Sequence, residues 1–337
     1  MRIRIGHCAA FALVLGLGGA PALAIDDAAA VDAALKEAHA KFKGVTEGKN
    51  ADYIPALAEV PSNLFGIALV TVDGRVYTAG DAEALFSIQS ISKVITMARV
   101  MEDSGELAIE NGVGVDATGQ VFNSIVAIEQ FKGHQMNPLV NPGAIATAGM
   151  VAGKTDPEKW AKILATHEAF AGRKLDVNQP VYKSEAETNQ RNQAIGMLMH
   201  AYGLLPDDPV MVTDVYTRQC SINVSAKDLA TMAATLANGG TNPVTKKQAV
   251  KAEHVPNILA VMATAGLYDD SGIWLYHVGL PAKSGVGGGL MAVAPGRFGI
   301  AAFSPPLDAA GNSVRAQKAI QYVVEKLDAN PYASKPR

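Results

Sequence analysis

Phe86-Ser-Ile-Gln-Ser90-Ile-Ser-Lys93-Val-Ile95 is the stretch from which the rest of the chain is read. Ser90 stands three residues before Lys93, at the head of an apolar segment, 94–101, that reads as a helix with Gly105 as its stop. On a helix, positions i and i+3 share a face. Ser90 is therefore expected in the first turn, with the Lys93 amine leaning back toward its hydroxyl. A serine hydroxyl is a poor nucleophile at neutral pH, and a desolvated lysine held neutral can act as its base. The helix N-terminus adds partial positive charge and free N–H groups, which suit a developing oxyanion. A capping serine followed by a solvated lysine gives the same tetrapeptide, so the catalytic reading needs support from elsewhere in the chain.

Working outward, 65–72 reads as a buried strand, Asp73-Gly74 as a turn and 75–78 as the returning strand. Apolar-periodic segments at 144–152, 157–171, 185–201 and 226–237 read as helices. Segments 275–278, 287–294 and 298–304 read as strands, and 313–327 as a closing helix. Strands, a long helical block, then strands and a terminal helix predict an α+β fold. We expect one domain over 47–337, with a sheet lobe at about 47–88 and 270–330 and an inserted helical lobe at about 89–269. The active site is expected in the cleft between them, where Ser90 opens the helical block.

The chain begins as an export signal does. Arg2 and Arg4 are followed by an apolar run and by Ala22-Leu23-Ala24, a small-x-small cleavage pattern. Residues 1–24 are read as a signal peptide cleaved near Ala24, which implies a periplasmic or secreted protein. Residues 25–46 are read as an N-terminal arm with one or two helical turns. The 313 residues after the leader hold 27 basic and 32 acidic side chains, a net charge of −5. No basic block stands out, which argues against nucleic acid and against membrane association once the leader is gone. Of the two cysteines only Cys220 follows the leader, so an intrachain disulfide is excluded there, and Cys220 reads as a small buried apolar residue.

Other clusters are ambiguous taken singly. Lys283-Ser284-Gly285 runs into Val286-Gly-Gly-Gly289, where a strand edge can offer an N–H to an oxyanion beside that of Ser90. Alone, such glycines mark a turn or bulge, and a dinucleotide fingerprint is discarded because Leu290 holds the last glycine position. Asn141, in Asn137-Pro-Leu-Val-Asn141-Pro-Gly-Ala-Ile145, reads first as a helix cap and second as a ligand-binding amide. Glu185, Glu187, Asn189 and Asn192 gather at an expected helix start, where charges usually complement the dipole. Tyr216 and Tyr268 read as core residues with hydrogen-bonded hydroxyls. The histidines show no metal-ligand spacing. Spacing leaves a Ser-His-Asp triad open, but no Gly-x-Ser-x-Gly elbow is present, which favours Ser–Lys.

Together these residues resemble the serine-dependent glutaminase family, which has the β-lactamase and transpeptidase (penicillin-binding-protein) fold. The matching stretches are Ala51-Asp-Tyr-Ile-Pro-Ala-Leu57, Phe86 to Val94, Asn137-Pro-x-x-Asn141-x-Gly-Ala-Ile145, Asn189-x-x-Asn192, Tyr216-x-x-x-Cys-Ser221, Gly266-Leu-Tyr268 and Ala282-Lys-Ser-Gly-Val-Gly-Gly-Gly289. The resemblance runs from about Gly48 to the last helix. It implies an antiparallel sheet flanked by helices, and hydrolysis of L-glutamine to L-glutamate and ammonia without metal or organic cofactor. By that likeness Ser90 is the nucleophile, Lys93 its base, and the N–H groups of Ser90 and Val286 the oxyanion hole. Tyr216 is assigned proton transfer. Asn141, Glu185, Asn192, Tyr216 and Tyr268 match substrate-binding positions, while Ser284 and Gln89 lie at the site with roles left open. Amides and hydroxyls suit an α-carboxylate, and an acidic side chain suits an α-ammonium. The expected partners are L-glutamine and further copies of the chain, as a dimer or tetramer. Pro142 departs from the family's small residue, and the leader departs from cytoplasmic members.

Two competing readings stand beside this one. Ser221-Ile-Asn223 and Lys283-Ser-Gly285 also fit the Ser-x-Asn and Lys-Thr-Gly motifs of β-lactamases and peptidases on the same fold. A periplasmic amino-acid-binding protein that kept the pocket without turnover is the other, and the intact Ser90–Lys93 pair argues against it.

Overall fold

A computed structural model describes residues 27–130 and 136–333, so the expected leader lies outside the described residues. The expected hairpin forms from β1 (Gly66–Thr71) and β2 (Val76–Gly80), paired antiparallel with Leu69 opposite Tyr77. A short pair follows, β3 (Phe86–Ser87) with β4 (Asn223–Val224). Near the C-terminus come β5 (Ala282–Ser284), β6 (Gly289–Ala294) and β7 (Phe298–Phe303). The main sheet has the order β2-β1-β7-β6-β5, antiparallel throughout. Helices and this antiparallel sheet make an α+β fold.

Every residue of β1, β6 and β7 is buried, so both faces of the sheet are covered. Alternation divides them. Ala68, Val70, Met291, Val293, Ala301 and Phe303 join the core on the side of the Ala226–Ala237 helix. Ile67, Leu69, Leu290, Ala292, Ile300 and Ala302 join the core under the Ala28–Phe42 and Val314–Lys326 helices. Gly299 lets the first of these helices lie on the sheet, because a Cβ there would come within 2.1 Å of the Ala234 nitrogen.

Three expectations are corrected. Segment 275–278 is helical, the end of Ser271–Val278, which Gly279 stops at φ 77°. Trp274 and Val278, four residues apart, are buried together while Ile273 and Tyr276 are exposed, a helical division that a short apolar run conceals. Strand β5 starts only at Ala282. The 25–46 arm holds a 15-residue helix, Ala28–Phe42, capped by Asp27 and anchored by the fully buried Val31, Leu35 and Ala38. The helix expected at 185–201 is two, Gln179–Thr188 and Gln190–Ala201, separated at Asn189. The Asn189 amide nitrogen donates to Thr217 Oγ1 at 3.0 Å, which pins that break to the neighbouring helix.

Candidate active site

Ser90 lies in a 3-10 turn, Gln89–Ile91, that runs into the Ser92–Ser104 helix; the helix stops at Gly105 as expected. Ser90 lies in the turn and Lys93 in the first turn of the helix that continues it, three residues apart, a spacing that keeps side chains on one face of a helix. Ser90 is 7% exposed and Lys93 1%. Burial lowers the Lys93 pKa to about 8, against the opposing pull of Cys220 and Glu185.

Asn141 is the first residue of the Asn141–Met150 helix, and its side chain does not cap it. The capping expectation is corrected because the amide has partners across the cleft. Its Oδ1 accepts from Lys93 Nζ at 2.7 Å and from the Tyr216 hydroxyl at 3.1 Å. Its Nδ2 donates to Asn192 Oδ1 at 2.9 Å. Its own backbone N–H goes to the Phe122 carbonyl at 2.7 Å. Four elements thus converge on one amide.

Glu185 sits toward the end of the Gln179–Thr188 helix, not at a helix start, so it does not complement that helix's dipole. It is buried, and burial raises its pKa to about 7, with Gln89 and Lys93 pulling the other way. Gln89 Nε2 donates to Glu185 Oε2 at 3.2 Å. Gln89 has φ 50° and Tyr268 φ 57°, the left-handed region that costs a side chain about 1–2 kcal/mol. Both strained residues face the same centre. The Tyr268 hydroxyl lies against the Ser90 side chain and the Ser284 carbonyl, and burial pushes its pKa up to about 12.

The glycine turn after β5 closes the other side. A Cβ on Gly287 would come within 2.5 Å of the Ser87 carbonyl, so the turn presses directly on the segment that leads into Ser90. Val286, in this turn, is 6% exposed and lines a cleft of about 230 Å³ together with Tyr53, Phe122 and Gly311. Ser284 Oγ is fully buried and has no hydrogen-bond partner among the described residues. Hydrogen bonds thus link Lys93, Tyr216, Asn141 and Asn192 into one network and Gln89 to Glu185, while Tyr268 meets Ser90 and the Ser284 carbonyl and Val286 lies in the adjoining turn.

Lys283 was legible only through its place in the competing Lys-Ser-Gly motif. Its amine is fully buried, donates to the Gly266 and Ser284 carbonyls at 2.8 and 2.7 Å, and lies 4.1 Å from the Tyr268 ring centroid. Burial, and then the Lys93 charge, hold its pKa well below that of free lysine. Phe122 packs on Tyr268 at 5.1 Å between centroids, a contact with no signal in the sequence. Ser221 and Asn223 are turned elsewhere. Ser221 Oγ donates to Thr217 O, and Asn223 pairs with Asn178. Cys220 is buried as expected, its thiol pushed up to about 12 by burial.

The sequence matches the Glutaminase family over residues 48–332. A glutaminase from Colwellia psychrerythraea is 54% identical over 300 residues, 89% of this chain and 96% of that protein. Among solved structures, a probable glutaminase, ybaS, superposes with a TM-score of 0.89 at 47% identity, covering 91% of this chain and all of the other. Mglu in its glutamate form gives 0.84 at 35% identity, covering 90% of this chain and 70% of the other. The chain therefore belongs to the glutaminase family of amide-hydrolysing enzymes.

Proposed function

We propose that the chain hydrolyses L-glutamine to L-glutamate and ammonia through a glutamyl ester on Ser90. The observation that carries this reading is the buried Lys93 amine, held by a neutral amide and lowered toward neutrality. A neutral amine has two N–H bonds and one lone pair. With one N–H on Asn141 Oδ1, the lone pair is free to take the Ser90 proton. Ser90 Oγ then attacks the side-chain amide carbon, and the oxyanion is held by the N–H groups of Ser90 and Val286. The proton passes to the departing ammonia from Lys93, with Tyr216 linked to it through Asn141. Water enters next and gives a proton to Lys93 as it attacks the ester carbon; Lys93 returns that proton to Ser90 Oγ as the acyl–oxygen bond breaks, which releases glutamate and restores the free serine.

In this reading Glu185 receives the α-ammonium, and Asn192 and Tyr268 offer donors to the α-carboxylate. Gln89 orients Glu185, and Asn141 ties Lys93, Tyr216 and Asn192 together. The unpartnered Ser284 hydroxyl is placed to bond substrate or relay a proton. Glutamate binding to Mglu supports a product of this class. The arrangement of sheet, Ser-x-x-Lys turn and Lys-Ser-Gly strand is read as β-lactamase- and transpeptidase-like. Export through residues 1–24 and assembly as a dimer or tetramer belong to the same proposal, to be checked by cell fractionation and light scattering.

The test is ammonia release from L-glutamine by the purified chain beside Ser90→Ala. Turnover that vanishes in the variant supports the reading. Hydrolysis of a chromogenic cephalosporin without ammonia release from glutamine would replace it with another acyl-serine hydrolase, against which the turned-away Asn223 already argues.

A further inference from the structure

Strand β5 carries a lysine where its neighbours call for an apolar side chain. Lys283 pairs with Met291 of β6, on the face that packs into the core beside the Ala226–Ala237 helix. It is fully buried, and among the described residues no carboxylate forms an ion pair with it. The titratable groups that face it are the Lys93 amine, which repels it, and the Cys220 thiol. Burying an amine in this way costs free energy that a methionine of similar volume would not. Nor does the backbone need the amine. The Gly266 carbonyl also accepts from the Ser284 N–H at 3.3 Å, and the Ser284 carbonyl from the Tyr268 hydroxyl at 3.5 Å. Stability therefore gives no reason for a lysine here.

What the amine does touch is Tyr268. Its Nζ lies 4.1 Å from the ring centroid while donating to the carbonyls of Gly266, two residues before Tyr268, and of Ser284. Two carbonyls and an aromatic ring are acceptors for all three hydrogens of an ammonium. Gly266 lies hard against β5, where a Cβ would come within 1.7 Å of the Ala282 carbonyl, so strand and amine grip the same turn. Ser271 holds the backbone of that turn, its hydroxyl donating to the Tyr268 carbonyl at 2.7 Å, but this bond leaves the ring able to rotate about its side-chain bonds. We propose that Lys283 is a positioning residue for the reaction at Ser90: its amine, set over Tyr268, fixes the ring so that the hydroxyl stays against the nucleophile and within reach of substrate. The kinetic side of this inference rests on the glutamine-hydrolysis reading, and the geometric side does not.

Lys283→Met removes the amine and keeps the volume. Thermal melts of the full chain should show it at least as stable as the wild type. Its kcat/KM for L-glutamine should fall about ten- to a hundredfold, the cost of moving an oriented group by about 1 Å. Tyr268→Phe deletes the hydroxyl that is being positioned. In that background Lys283→Met should change kcat/KM by less than about twofold, because both changes act through one group. A crystal structure of Lys283→Met should show the Tyr268 hydroxyl displaced from Ser90 with the Ser271 bond intact. An equal loss in both backgrounds, a fully active Lys283→Met chain, or an undisplaced hydroxyl overturns the proposal. A Lys283→Met chain that melts well below the wild type, or does not fold, makes the amine structural and overturns it too. Absence of ammonia release by the wild type would instead remove the glutamine reading, and the Tyr268 position in the crystal would still decide the role of Lys283.

Discussion

Lys93 Nζ meets Asn141 Oδ1 at 2.7 Å, so the amine of the proposed base is anchored by a neutral amide rather than by a carboxylate. The choice of partner sets its protonation. A carboxylate at hydrogen-bond distance favours the ammonium form and typically shifts a neighbour by 1–3 units. Asn141→Asp is therefore expected to move the acid limb of the kcat–pH profile upward by about one unit or more. Activity at pH 7 should fall about tenfold or more while recovering at higher pH. An unmoved limb would mean that Lys93 is not the group that titrates.

The stability of the protein should carry the same signature. Lys93 titrates at about 8 when folded, against 10.5 as its ordinary value. Between these values the unfolded chain binds the proton and the folded chain does not, so stability rises with pH from about 8 to 10.5 and is lost as pH falls through 8. Lys93→Met should abolish that rise, which amounts to about 3 kcal/mol at most. Urea melts of both proteins at pH 7.5 and 10 measure it.

Glu185 behaves oppositely. Its carboxyl titrates at about 7 rather than 4.5. Folding thus favours the protonated form, and this contribution is full below 4.5 and lost as pH rises through 7. Substrate binding needs the carboxylate if it receives the ammonium, so KM for glutamine should fall as pH rises through 7. Glu185→Gln should raise KM about a hundredfold, the scale of a buried charge-assisted contact, and flatten that dependence.

Gln89 combines a strained backbone with an amide that donates to Glu185 and to Ser87 Oγ. Gln89→Gly relieves the left-handed conformation, whereas Gln89→Ala retains it. The glycine variant should be the more stable of the two by about 1 kcal/mol. Both lose the amide that orients Glu185, so both should raise KM more than they lower kcat. Denaturant melts and steady-state kinetics on the pair separate strain from positioning.

Gly287 tests the turn that carries Val286. Gly287→Ala places a Cβ within 2.5 Å of the Ser87 carbonyl, and one of the two backbones must yield. Displacing one oxyanion donor costs about 10²–10³ in kcat, so a loss of that size with KM little changed is expected.

Much of this architecture was legible because the signals are local. The Asp73-Gly74 hairpin, the Gly105 stop and the closing helix after Ser313 depend on nearest neighbours. The errors arose where tertiary partners decide. Asn141 resembles a cap until Lys93, Tyr216 and Asn192 are seen around it. The run at 275–278 is equally apolar in a strand or a helix, and the Trp274 bond to the Leu280 carbonyl fixes it in a helix. The break at Asn189 depends on Thr217, 28 residues away. Phe122 and Lys283 carry no periodic or capping signal, since their contacts with Tyr268 come only from the folded cleft.

The order β2-β1-β7-β6-β5 sets when the enzyme can first exist during its own synthesis. Strand β1, emerging early, has β2 on one side, but its other edge waits for β7, more than 200 residues later. Ser90 and Lys93 leave the ribosome long before Val286, the turn that faces them. A nascent chain stopped at residue 280 carries the proposed nucleophile and its proposed base with an unclosed sheet and half of the proposed oxyanion hole. Catalytic competence is thus gated by the last segment translated, and the unfinished β1 edge is the surface that needs protection until β7 arrives.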